Sequence, residues 1–180
     1  VSELNSSNEI KTDRLLITPF WEKHLTDTYV AWLNDPEVVR YSQNRFKKHS
    51  LESCRQYWKS FEGTSNFFWA LEEIQNGYKH IGNLNAYVDP WNQTADVGIL
   101  IGEKNTWGYG YGLEAFEAVV HFLFSKIKIR KVAAGSMSNN TAMVKIMKRL
   151  KMKKDGRRIR QCLFENREVD IVHYAIFNGA

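Results

Sequence analysis

Apolar positions along this chain follow two different spacings in succession. Residues 14–20, RLLITPF, form a short, partly β-branched apolar run that predicts a strand, which Pro19 should end. From Glu22 to Asp35 the apolar residues Leu25, Tyr29, Trp32 and Leu33 recur at helical spacing, and NDPE (34–37) supplies the turn that stops the helix. Ser50 reads as the cap of a second helix over Ser53–Phe61. The centre then switches to strands: FFWALEE (67–73), IGNLNAYV (81–88) and ADVGILIG (95–102), divided by the turn-like QNGYK and DPWNQT. Two close turns make these three an antiparallel meander. In the third strand Val97, Ile99 and Ile101 share one face, and Asp96, Gly98 and Leu100 the other.

Helical spacing returns after residue 112. Leu113, Phe116, Val119, Val120, Leu123, Phe124 and Ile127 form an apolar stripe opposite Glu114, Glu117, His121 and Lys128. RKVAAGSMS (130–138) is the next strand, and NNTAMVKIMKRL (139–150) a helix with Met143, Ile146, Met147 and Leu150 inward. RIRQCLF and VDIVHYAIF are the arms of a closing hairpin, and residues 1–12 read as a polar lead-in. Seven strands and four helices in this order specify a mixed α/β sheet.

Composition narrows the setting. At 180 residues, 43% hydrophobic and 25% charged, the chain has the content of a single domain over residues 1–180 with a substantial core. No apolar run suits a membrane span, and the first residues show no basic segment followed by an apolar core, so a cytoplasmic location without membrane association is expected. Cys54 and Cys162 form no metal or redox spacing, so no metal is expected. A net charge of +5 permits an anionic ligand without demanding nucleic acid.

Chemistry concentrates in Asn105–Glu117, NTWGYGYGLEAFE, where Gly108, Gly110 and Gly112 run into a helix start. Glycines there let successive backbone N–H groups approach a pyrophosphate, and the first helical turn adds unpaired N–H groups and partial positive charge. The same glycines would also serve a flexible turn with close helix–sheet packing. A Walker loop is excluded because no Lys-Ser/Thr pair follows. Gly110-x-Gly112-x-x-Ala115 fits a dinucleotide fingerprint, but the next strand ends AAGSMSNN with no acid for a ribose, and the preceding strands form a meander.

Trp107-Gly-Tyr-Gly-Tyr-Gly112 resembles the Gln/Arg-x-x-Gly-x-Gly/Ala loop of the GNAT superfamily of acetyl-CoA-dependent N-acetyltransferases. RLLITPF, WLNDPEVVRYS (32–42), IGNLN (81–85), ADVGILIG, WGYGYGLEA (107–115) and SNNTAMVKIMKRLKM (138–152) follow the order of the branch that resembles ribosomal-protein N-terminal acetyltransferases, RimJ and RimL. The similarity covers roughly residues 12–177. It implies a mixed, mostly antiparallel, seven-stranded sheet flanked by helices, with strands 95–102 and 130–138 splayed apart. A pantetheine arm would lie between them, on main-chain groups of Leu100 and Ile101. The pyrophosphate would rest on Trp107, Gly108, Tyr109, Gly110, Tyr111, Gly112 and Leu113, and Asn140 would touch the arm. Asn139 or Asn140 could equally be a helix cap. Trp107 departs from the usual Gln or Arg, and Met143 stands where Ser is frequent.

Acetyl transfer needs a neutral amine and a donor for the carbonyl oxygen. The resemblance makes Asp96 the candidate base and Glu103 the second choice. Trp32, Tyr41, Arg45, His49 and Tyr87 are candidates for the acceptor side, where Arg45 and His49 could take a phosphate or carboxylate. Acetyl-CoA and an amine acceptor are the expected partners: a ribosomal protein N-terminus, a nucleotide-linked amino sugar or a polyamine. A homodimer through a strand edge is possible. The nine Lys and Arg residues from Lys145 to Arg160 read as a solvated face, a support for the coenzyme 3′-phosphate, or the surface of a non-enzymatic RNA- or ribosome-binding module.

Overall fold

The computed structural model describes residues 8–179. The strands are β1 (Ile10–Lys11), β2 (Leu15–Pro19), β3 (Phe67–Glu73), β4 (Lys79–Asp89), β5 (Thr94–Ile101), β6 (Lys131–Met137), β7 (Lys153–Phe164) and β8 (Arg167–Phe177). The helices are α1 (Asp27–Asn34), α2 (Leu51–Lys59), α3 (Tyr111–Ser125) and α4 (Thr141–Arg149). All strands join one sheet in the order β1-β2-β3-β4-β5-β6-β8-β7.

The sheet has eight strands rather than the expected seven, and it is mixed because β5 and β6 run parallel. The additional strand lies in the polar lead-in, where Ile10 pairs with Ile17 and Lys11 with Leu16. Two residues carry no readable period; backbone pairing alone makes them a strand. β7 begins five residues before the expected arm. Its first half is charged, contains Gly156 and shifts register twice, at Lys154/Gly156 and Arg158/Cys162, so it shows no alternation.

Local chemistry sets the helix ends. Thr26 caps α1, its hydroxyl accepting from the Tyr29 amide at 3.2 Å, which leaves Glu22–His24 as a separate 3₁₀ turn. Ser50 and Ser53 cap α2 reciprocally. α3 stops at Ser125, short of the expected stripe, because Lys128 takes a left-handed φ of 64° and turns the chain into β6.

The central strands are covered on both faces, so β3 reads as a near-continuous buried run, whereas β7 at the edge is exposed. One face packs Leu15, Trp69, Leu84 and Val97 under α3 and α4, where Phe116, Leu123 and Met147 are fully enclosed. The other packs Phe68, Ala70 and Leu100 under α1 and α2, with Tyr29, Trp32 and Cys54. Trp32 lies flat on the chain at Gly102, where a Cβ would fall 2.0 Å from the indole. Among the described residues no helix is long and apolar enough to cross a membrane.

Candidate functional site

β5 and β6 pair only at Thr94↔Lys131, Ala95↔Val132 and Asp96↔Ala133, then part. Antiparallel pairing alternates the direction of backbone groups. The Gly102 amide bonds to the Ile81 carbonyl at 2.9 Å, and the Val88 amide turns away from β5 to the Asn66 side chain. This phase directs the main chain of Leu100 at Asn83 on β4, and that of Ile99 and Ile101 into the gap. The expectation of main-chain groups from Leu100 therefore shifts to Ile99. The Ile101 carbonyl accepts from the Trp107 indole at 2.9 Å, which ties the glycine turn to the end of β5.

The turn beyond is unusually open. Gly108 and Gly110 adopt φ of +85° and +87°, values that side chains rarely take. From Gly108 through Leu113 no backbone N–H donates to a protein acceptor among the described residues, whereas the Glu114 amide closes the first helical bond onto Gly110. Gly112 serves packing instead: a Cβ there would meet Ile146 of α4 at 3.2 Å. The packing reading of the glycines thus holds at Gly112, while Gly108 and Gly110 form an open turn.

Arg14, which sequence reasoning missed, holds this turn in place. Its guanidinium bonds to the Tyr109 carbonyl at 2.9 Å, pairs with Glu114 at 2.6 Å and stacks on the Tyr111 ring. Burial favours a neutral Glu114 carboxyl, but bonds from Thr12 and Arg14 outweigh it and hold the group ionised. A contact spanning a hundred residues leaves no local signal. Tyr111 is buried, its hydroxyl donating to Glu73, while Tyr109 is exposed.

Asn140 caps α4. Its side-chain oxygen accepts from the Met143 amide at 3.2 Å and its amide nitrogen donates to Ser136 at 3.0 Å. Glu103 is also engaged: it pairs with Lys79 at 2.6 Å, which keeps its carboxyl below the usual range, and caps a 3₁₀ turn.

Where β5 and β6 begin to part, the α1/α2 face holds an open depression of about 440 Å³, lined by Tyr87, Asp89, Asp96, Lys131, Asp155 and His173 among others. Asp96 is exposed there, opposite Tyr87 on β4 and Ala133 on β6. Lys131 pairs with Asp155 at 2.7 Å, and Asp89 is held ionised by Asn92. The Tyr87 and Tyr57 hydroxyls bond at 3.0 Å.

The remaining acceptor-side candidates lie elsewhere. Trp32 is 7% exposed in the second core. Tyr41 stacks on Phe164 of the β7–β8 hairpin at 5.2 Å, with Arg40 against both rings. Arg45 bonds to the Ser42 and Leu163 carbonyls at 2.7 and 3.4 Å, which turns its guanidinium toward the β7–β8 hairpin. His49 is tied through its backbone to Asn34, and burial lowers its pKa, which keeps it uncharged near neutrality. The structure brings Asp96 and Tyr87 together and leaves Trp32, Tyr41, Arg45 and His49 outside that depression. Among the described residues no cluster of His, Cys, Asp and Glu is arranged to hold a metal.

Known proteins resemble this chain in sequence and in fold. The chain is 25% identical over 155 residues to the uncharacterized N-acetyltransferase p20 of Bacillus licheniformis, covering 81% of this chain and 82% of that one. A GNAT-family acetyltransferase from Bacillus anthracis superposes with a TM-score of 0.81 at 22% identity, over 96% and 99% of the two chains. The α-N-protein acetyltransferase RimL, in complex with coenzyme A, gives 0.83 at 15% identity over 94% and 98%. Spermidine N-acetyltransferase from Vibrio cholerae, in complex with CoA and spermine, gives 0.81 at 13% identity over 93% and 97%. A family profile described as an acetyltransferase (GNAT) domain matches residues 14–153. With that match spanning most of a chain whose strands part beside a bare-amide helix start, this protein belongs to the GNAT acetyltransferases and is an acyltransferase.

Proposed function

We propose that this enzyme transfers an acetyl group from acetyl-CoA to a primary amine by direct attack on the thioester. One observation carries the reading: the unpaired amides from Gly108 to Leu113 sit at the head of a gap between diverging parallel strands. Such amides at a helix start suit a diphosphate. The Ile99 main chain and the Ile101 amide, which face the gap, suit an extended amide-bearing arm. Asn140 caps α4 and keeps one amide N–H and one oxygen lone pair, with which it could also contact the arm.

Bound acetyl-CoA would supply an activated carbonyl and a thiol leaving group. The chain's part is to bring the amine to the opposite face of the gap, strip its proton and keep it close to the carbonyl. Asp96, exposed and without a salt-bridge partner among the described residues, is placed to hold an incoming ammonium. Backbone N–H groups of β5 facing the gap are suited to receive the developing oxyanion. Glu103 is committed to Lys79 and is not part of this step.

Within the primary amines, a protein N-terminus in the RimJ/RimL manner and a polyamine both suit this reading. A nucleotide-linked amino sugar is the alternative acceptor, for which Arg45, hydrogen-bonded only to neutral carbonyls, keeps its charge while His49 is uncharged. Titration calorimetry with acetyl-CoA, followed by thiol release against a peptide with a free N-terminus, spermidine and an amino sugar, tests the proposal. No heat with acetyl-CoA would end it.

A further inference from the structure

Two glycines flank the gap on the acceptor face, Gly98 on β5 and Gly135 on β6. Each is overhung from the next strand by a polar side chain. A Cβ at Gly98 would lie 2.8 Å from the Asn85 amide oxygen, and one at Gly135 would lie 2.9 Å from the His173 ring. His173 pairs with Gly135 on one side and with Gly156 on the other, so bare backbone flanks it across both neighbouring strands. Directly opposed residues share a face, which places His173, Gly135, Ala133 and Asp96 on one side of the sheet. The floor between Asp96 and His173 is therefore Ala133 and Gly135, the two smallest side-chain choices. The His173 Nε2 is buried without a hydrogen-bond partner among the described residues. The ring lines the depression beside the parting strands, where a bound amine or a water would give that nitrogen its missing partner.

Resting on the acetyltransferase reading, we infer that His173 is the catalytic base: it takes the proton of the acceptor ammonium while Asp96 holds that ammonium by charge. The neutral imidazole accepts one proton from the R–NH₃⁺ group, directly or through one water. The freed nitrogen lone pair forms the C–N bond to the thioester carbon, and the C–S bond breaks with its electron pair on sulfur. The second proton lost by nitrogen goes to that sulfur, giving an amide and a free thiol, and His173 returns its proton to solvent. The charged or titratable groups lining the same depression are Tyr87 from β4, Asp89 and Asp96 from either side of the β4–β5 turn, Lys131 from β6 and Asp155 from β7, the last two paired with each other.

The test compares His173→Gln and Gly135→Ala with the unaltered protein, using acetyl-CoA and the best amine of the panel above. His173→Gln should lower kcat by about 100-fold or more, the usual contribution of a positioned base. It should also abolish the acid limb of the kcat/KM–pH profile and leave acetyl-CoA affinity within about twofold. Gly135→Ala, which displaces the ring without removing it, should lower kcat at least tenfold with the acid limb retained but shifted. An acid limb that persists unmoved in a folded, acetyl-CoA-binding His173→Gln enzyme overturns the inference and leaves the transferase reading standing. Failure of the unaltered protein to bind acetyl-CoA refutes both.

Discussion

His80 supplies a stability prediction that can be worked through from the structure. Its ring sits among Phe20, Tyr29, Trp32 and His24, with the Trp32 centroid 4.9 Å and the His24 centroid 5.1 Å away. Its Nε2 donates to the Gly82 carbonyl at 3.0 Å. Burial, and then the neighbouring His24, drive its pKa down from 6.5 to about 3. A histidine depressed in the folded state favours folding above its unfolded pKa, and that stability is lost as pH falls toward the folded value. Between pH 7 and pH 5 the unfolded chain takes up the proton while the folded one does not. At about 1.4 kcal/mol per pH unit below 6.5, the loss by pH 5 is about 2 kcal/mol. For a chain of this size that corresponds to a fall of roughly 4–8 °C in melting temperature. His24 is lowered by burial as well and adds a loss of the same sign, whereas the carboxylates titrate mainly below this window. Urea unfolding of the unaltered protein and His80→Phe at pH 7 and pH 5 checks the value. The variant should lose about 2 kcal/mol less than the parent over that interval. Parallel losses in the two proteins would refute the assignment.

Other consequences are more direct. Gly110→Ala forces a side chain into φ of +87° and should cost about 1 kcal/mol of stability while weakening acetyl-CoA binding about tenfold by calorimetry, since it disturbs the turn that offers the amides. Gly102→Ala drives a methyl into Trp32 and should destabilise by about 1–3 kcal/mol in urea, a cost that a smaller residue at position 32 should partly relieve. Asp96→Asn should raise the acceptor KM about tenfold and leave both acetyl-CoA affinity and the acid limb of the pH profile in place, in contrast to His173→Gln.

Fold class and most element positions were legible in the sequence because they depend on local period. The four helices and the strands of the meander follow from apolar spacing, and the caps at Ser50 and Asn140 from residue type. β1 and the first half of β7 were not legible, since one is two residues long and the other is exposed and charged along its length. The phase of β5 was legible as a division into two faces. Which residues direct their amides into the gap was not, because that depends on where the β4 ladder begins.

The sequence alone determined that the glycine run precedes a helix and follows a strand, and that Asp96 shares a face with Gly98. Those facts are set by neighbours within a few residues. The tertiary structure decided that Arg14 anchors the turn, that Arg45 bonds to backbone carbonyls and His49 is uncharged, and that His173 overhangs Gly135 beside the gap. Each of these joins groups from separate elements, and the forces involved, hydrogen bonding, desolvation and steric exclusion, act between atoms that only the folded sheet brings within reach.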